Sequence, residues 1–154
     1  MKFKIKAWLL ACITLFCCSL FAQQSADNDP NVAVLKNFVH RLNYKDVASD
    51  IILSQDLLTS KNMDADMQEY LLASIDEIRI NIQSKDNSKL EYISFARAGR
   101  KETNDIDLEG IDPRQVYFVR YLKRFVFAAV VQDKKIASFT LVSKGDNRAH
   151  FVFY

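Results

Sequence analysis

The sequence predicts an α+β domain, with two short N-terminal helices and one long helix packed on a C-terminal antiparallel sheet of four to five strands. Two observations lead to this fold class. Apolar residues recur every three or four positions as far as residue 83, and from Leu90 they alternate with polar residues in segments rich in aromatic and β-branched side chains. Because the helices precede the strands, they form a separate layer over the apolar face of the sheet. Such a sheet can curl into a cone.

The first helix is predicted from about Pro30 to Leu42. Asp29 can accept a hydrogen bond from the free amides of the first turn, and the proline after it has no amide to leave unbonded there. A second, short helix is predicted to start near Asp46, because Val47 and Ile51 follow helical spacing.

The long helix is predicted from Met63 to Gln83. Its apolar stripe recurs at four, four, three and four residues, in Met67, Leu71, Ile75, Ile78 and Ile82. Either Asn62 or Asp64 can cap its first turn. Asp76 and Arg79, three residues apart, are expected to pair on the solvent side.

Five strands are predicted in the second half of the chain, at Leu90–Ala98, Val116–Tyr121, Phe125–Val131, Ile136–Val142 and Ala149–Tyr154. Polar segments of hairpin length at Gln132–Lys135 and Lys144–Asn147 separate the last three strands, which should therefore form an antiparallel meander. The polar and acidic segment Gly99–Pro113 is expected to be one long loop.

The N-terminus has the pattern of a secretory signal peptide. Lys2, Lys4 and Lys6 precede an uncharged, mostly apolar run from Ala7 to Ala22, after which polar residues follow at once. We expect residues 1–22 to be a signal peptide, residues 23–28 a flexible N-terminus and residues 29–154 a single α+β domain. Periplasmic location or secretion is favoured over a lipoprotein, because a bulky residue, not a small one, precedes Cys17.

Removing the signal peptide changes the composition. The three cysteines, Cys12, Cys17 and Cys18, are lost with it, which excludes disulfides, thiol nucleophiles and cysteine metal sites. Loss of three lysines takes the formal net charge from +2 to −1. A near-neutral surface gathers neither nucleic acid nor an anionic membrane. The apolar run is also shorter than a stable membrane span.

The order of short helices, one long helix and a C-terminal sheet resembles NTF2-like (cystatin-like) cone domains over about residues 29–154. The resemblance rests on element order, and the strand pair often found before the long helix is not visible around Leu53–Ser60. Members of that superfamily include pocket binders, isomerases, dehydratases and oligomerising domains. No functional residue carries over, since no family motif is present.

Candidate ligand-binding residues lie on two of the predicted strands. His150 alternates with two other residues on the last strand, and Tyr117 and Tyr121 share one face of an earlier strand. If its face of the strand is the concave one, His150 could line a pocket with Tyr117, Tyr121 or Asp76. His150 and Asp76 are also the candidate acid or base residues. Arg120 either binds an anionic ligand or forms a structural ion pair with an acidic residue.

The carboxylates of the long loop are the candidate cation ligands. Asp105, Asp107 and Glu109 precede a glycine, as at the start of a calcium loop, but position twelve is Val116 where a bidentate acid is required. The sequence therefore predicts a solvated acidic loop and no metal site or cofactor.

The function expected from these patterns is non-enzymatic binding of a small ligand or an envelope protein through the concave face of the sheet. An isomerase or hydratase that uses His150 or a buried aspartate is the alternative. A third interpretation is an adaptor in which the sheet pairs with a second copy to form a homodimer.

Overall fold

Three helices pack on a four-stranded antiparallel sheet in the computed structural model, and a small three-stranded mixed sheet lies beside them. The structure describes residues 29–145 and 148–154. The predicted signal peptide, the flexible segment 23–28 and part of the predicted 144–147 turn lie outside the described residues. The predicted α+β class is confirmed.

The three long helices are α1 (Pro30–Asn43), α2 (Ser49–Asp56) and α3 (Ala65–Gln83). Asp29 caps α1 by accepting from the Asn31 amide at 2.9 Å, and Asp64, not Asn62, caps α3 by accepting from the Met67 amide at 2.7 Å. The residues that they bury include Leu35, Phe38 and Leu42 of α1, Ile52 and Leu53 of α2, and Leu71, Ile75 and Ile82 of α3. In α1 and α3 these positions lie three, four or seven residues apart, which is the spacing of one helix face, so the predicted apolar stripes of these two helices do face the core.

Seven strands follow: β1 (Leu90–Ser94), β2 (Ile106–Asp107), β3 (Val116–Tyr121), β4 (Arg124–Gln132), β5 (Lys135–Ser138), β6 (Leu141–Gly145) and β7 (Arg148–Phe151). The larger sheet has the order β1-β3-β4-β5, and the smaller has the order β2-β7-β6. Strands β2 and β7 are parallel, and all other pairs are antiparallel.

The predicted meander of the last three strands is wrong, because the chain changes sheets at Phe139 and Thr140. Phe139 packs against Phe38 and Tyr154, with ring centroids 5.8 Å apart in each case. Its amide donates to the Tyr154 hydroxyl at 3.2 Å and not to a neighbouring strand. The predicted strand 136–142 is therefore divided into β5 and β6, which belong to different sheets.

Three predicted boundaries are also corrected. Strand β1 ends at Ser94 because a 3-10 turn follows at Phe95–Arg97, and the last strand ends at Phe151. The predicted loop of residues 99–113 contains a one-turn helix, α4 (Arg100–Thr103), and β2, which adds to the smaller sheet.

Most of β3 and residues 127–131 of β4 are buried on both faces. One face packs against α1, α2 and α3 through Tyr117, Val119, Phe127, Ala129 and Val131. The opposite face packs against β7 and the 95–111 segment through Val116, Phe118, Ala128 and Val130. The two sheets stay separate, so the cone considered from the sequence does not close. No helix within the described ranges is both long and apolar enough to cross a membrane.

Candidate functional site

A groove of about 350 Å³ opens between α3 and the first half of β4. We call it the α3–β4 groove. It is lined by aromatic, aliphatic and a few polar side chains: Tyr70, Ser74, Glu77, Ile78, Asn81, Phe125, Val126, Phe127, Ala128, Phe139, Thr140 and Leu141. The groove exists because α3 packs chiefly on α1 and α2, which leaves a gap between its flank and the sheet.

The helical wall of the groove is a second stripe on α3. Tyr70, Ser74, Glu77 and Asn81 recur every three or four residues, directly beside the buried stripe that contains Leu71. The Tyr70 side chain is 41% exposed at one end of this wall. This wall is not predictable from the residue pattern, because a polar stripe on a helix is typical of any solvent-facing surface.

The strand wall is shaped by a β-bulge in β4. Val119 pairs with Phe127 and Arg120 pairs with Phe125, which leaves Val126 without a residue opposite it on β3. A bulge turns successive side chains out of strict alternation. Val126 and Phe127 both contact the helix-side core, whereas the Phe125 ring lies 6.4 Å from the Phe118 ring of the other face. Phe125 remains 52% exposed at the edge of the groove.

The outer edge of β4 is open along the groove. Strand β5 pairs with β4 only at Val130–Gln132, and its neighbour in the chain, Phe139, has already left the sheet. Among the described strands, β3 is the only one that pairs with residues 124–129 of β4, and Val126 of the bulge pairs with none. The groove therefore runs beside a free strand edge.

Tyr117, a predicted ligand-binding residue, is buried and hydrogen-bonded inside the fold. Its side chain is 2% exposed, and its hydroxyl donates to the Asp29 carboxylate at 2.7 Å and accepts from the Asn31 side-chain amide at 3.2 Å. Burial, followed by the hydrogen bond to Asp29, raises the pKa of Tyr117 to about 12. The residue links the start of α1 to β3 and does not line the groove.

Arg120 lies on the opposite face of β3 from Tyr117 and Tyr121. It forms an ion pair with Glu102 of the short helix α4, and both side chains are largely buried. Of the two interpretations offered by the sequence, the structural ion pair is the one that the structure contains. Tyr121 packs at the margin of the helix-side core, with the Lys85 Nζ atom 5.9 Å from its ring centroid.

His150 and Asp76 are not brought together with the tyrosines of β3. His150 belongs to the smaller sheet, where it pairs with Asp107 of β2 and Val142 of β6. It is half-buried, and its Nδ1 atom has no hydrogen-bond partner among the described residues. Asp76 is exposed on α3 and accepts from the Ser49 hydroxyl. The predicted pairing of Asp76 with Arg79 does not form, since Arg79 donates to the Val47 carbonyl at 2.7 Å.

Two acidic side chains of the long loop form ion pairs with basic side chains of β6 and β7. Lys144 contacts Asp107 and Glu109, and the Arg148 guanidinium lies 3.4 Å from the Asp107 carboxylate. A hydrogen bond from the Glu109 amide, followed by these cations, lowers the pKa of Asp107. Asp105 is exposed, and its carbonyl accepts from the Ala149 amide at 2.8 Å. Within the described ranges, no three histidine, cysteine, aspartate or glutamate side chains are grouped to hold a metal ion.

A second cavity, of about 290 Å³, lies between α1, α2 and the β4–β5 turn. The Arg41 Nε atom lies 2.9 Å from the Asp56 carboxylate there, and the Arg41 guanidinium donates to the Gln55 side-chain oxygen at 2.7 Å. Burial raises the pKa of Asp56, although Arg41 and Lys135 oppose this shift. These contacts join the two helices, and no local residue pattern predicts them, because the partners lie 14 and 15 residues apart on different helices.

Comparisons with protein-family models, with curated proteins and with solved structures give no match to this chain. The site must therefore be interpreted from its own geometry.

Proposed function

We propose that this chain is an exported binding domain that holds its ligand in the α3–β4 groove and catalyses no reaction. The observation that carries the proposal is that two large aromatic side chains remain exposed at the groove, Tyr70 on its helical wall and Phe125 at the edge of its strand wall. Phe125 is 52% exposed and Tyr70 is 41% exposed, and the groove between them has the volume of a small-ligand site. Binding a ligand over an aromatic side chain that is exposed to water is energetically favourable.

The rest of the lining is suited to recognition. Phe127 and Phe139 give the floor an apolar surface, Ser74, Asn81 and Thr140 offer neutral hydrogen-bonding groups, and Glu77 supplies a carboxylate. A largely apolar site with a few polar groups is the usual composition of a binding pocket. The predicted isomerase or hydratase residues, His150 and Asp76, lie outside this groove.

Export is proposed from the sequence of residues 1–22 and makes an envelope or extracellular ligand the expected one. Mass spectrometry of the protein from its native compartment tests this step, and the expected N-terminus lies within a few residues of Gln23. The resemblance to NTF2-like domains is proposed at the level of element order only. A homodimer through the sheet is one outcome that the binding experiments must detect.

The binding test uses the neutral apolar fluorophore N-phenyl-1-naphthylamine, titrated against the purified protein. We expect saturable fluorescence enhancement, weakened about tenfold in Phe125→Ser, because this change removes an aromatic contact surface worth about 1.4 kcal/mol. Phe153→Ser is the matched control, since Phe153 is 45% exposed but does not line the groove. Equal affinities in both variants, or no enhancement in the wild type, would refute the proposal.

A further inference from the structure

We infer that the ligand of the α3–β4 groove is an extended polypeptide segment that adds as a strand to the free edge of β4. This inference rests on the proposed function and specifies the class of its ligand. The partner carries an apolar side chain that enters the groove and a basic side chain that meets Glu77.

The first argument comes from the backbone of β4. Residues 124–129, except the bulged Val126, pair with β3 on one side, and no described strand pairs with any of them on the other. In an antiparallel ladder, alternate residues direct their N–H and C=O groups away from a given neighbour. These groups provide both donors and acceptors in a row along the groove. An extended peptide satisfies such a row, whereas a lipid chain or an aromatic small molecule offers no matching series.

The second argument comes from the side chains next to this edge. An added strand places every second side chain on the same face. On the helix side, those side chains meet Tyr70, Ile78 and Val126, which form an apolar wall. The bulge at Val126 helps here, because it turns two consecutive β4 side chains toward α3 and broadens the apolar floor.

The third argument is charge complementarity. Among the described residues that line the groove, Glu77 is the only one with a formal charge. It is exposed, and the described part of the chain gives it no basic partner. A lysine or arginine of the peptide would pair with it. Because exposed ion pairs contribute little energy, this contact selects the sequence and register of the peptide more than it determines affinity.

A second copy of the chain fits the groove less well than such a peptide. It would present the same carboxylate, and the described lining holds no basic side chain to receive it. Sedimentation velocity distinguishes a peptide from a second copy of the chain as the occupant. A dimer that dissociates into monomers when a peptide is added supports strand addition. A dimer that persists and does not bind the peptide would contradict it.

The experiment uses the purified protein and three capped hexapeptides. The parent alternates valine or phenylalanine with polar residues and includes one lysine; the second carries N-methyl groups on alternate amides; the third replaces lysine with glutamate. We expect the parent to displace N-phenyl-1-naphthylamine and to protect amides of residues 124–129 from hydrogen exchange. N-methylation of the ladder amides should weaken binding about tenfold, since it removes the main-chain hydrogen bonds.

The lysine-to-glutamate peptide should bind about threefold more weakly to the wild type, and this difference should disappear in Glu77→Gln. Three results would overturn the inference: equal binding of the N-methylated peptide, protection confined to β1, or a charge preference that survives Glu77→Gln. If the fluorophore binds in the groove and no peptide displaces it, the proposed function stands and strand addition fails. If neither ligand binds, both proposals fail.

Discussion

Replacing Tyr117 with phenylalanine tests whether this residue has a structural role. The change keeps the buried ring and removes the hydroxyl that donates to Asp29 at 2.7 Å and accepts from Asn31 at 3.2 Å. Hydrogen bonds to charged groups contribute about 1.5–3 kcal/mol when buried, and Asp29 is partly exposed, so we expect a loss of about 1–2 kcal/mol.

Urea unfolding followed by far-ultraviolet circular dichroism measures this loss. With a slope of about 1.5–2 kcal/mol per molar urea for a chain of this size, the midpoint should fall by about 0.5–1.3 M. Tyr121→Phe is the control, since no hydrogen bond of the Tyr121 hydroxyl is found among the described residues. Asp29→Asn should reproduce most of the loss, and the double variant should lose less than the sum.

The opposite outcome would support the ligand-binding role that the sequence predicts for Tyr117. If Tyr117→Phe left the urea midpoint unchanged and instead weakened fluorophore binding, Tyr117 would be a ligand-binding residue and the structural account would be wrong.

Three further predictions concern packing, turn geometry and pH. Ile75→Ala should lower the free energy of unfolding by about 2–5 kcal/mol in urea, because it leaves a cavity in the core. Ile80→Ala, at a position that is 73% exposed on the same helix, should be nearly neutral. Similar losses in both variants would contradict the packing described. Lys123→Gly should raise the urea midpoint, by an amount equivalent to about 0.5–1 kcal/mol, because Lys123 has φ +65°, where glycine is not strained; a lower midpoint would refute this. Burial raises the pKa of Tyr92 and of Tyr117 to about 12. Both side chains therefore favour the folded state fully below pH 10, and the free energy of unfolding should fall as the pH rises from about 10 to 12. This fall should be less steep in Tyr117→Phe.

The helices and the central strands were predictable because their patterns are local. Asp29, Pro30 and the apolar stripes located α1 and α3 to within about two residues, and Val116–Tyr121 was predicted with the boundaries that β3 has. These signals need only the near neighbours in the chain. Where secondary structure depends on distant partners, the prediction failed.

Phe139 is an example of that failure. Residues 136–142 have the composition of one strand, but the contacts of Phe139 with Phe38 and Tyr154 divide it, and neither partner is visible in the local pattern. Asp76 and Arg79 show the same effect, because residues near the start of α2 replace the expected pair. The groove could not be predicted from the sequence for a related reason, because it depends on the distance between a helix and a strand edge.

The burial of β3 on both faces has a consequence for strand alignment. In a sheet with one wet face, sliding a strand by one residue exposes its apolar side chains, and that penalty enforces the native register. In β3 the same slip would move apolar side chains from one buried face to the other and would expose few of them. The correct alignment of the β3–β4 hairpin therefore depends on the reversal at Leu122 and Lys123, whose two left-handed residues fix where the chain turns back, and on the polar contacts of Tyr117 and Arg120, which each belong to one face.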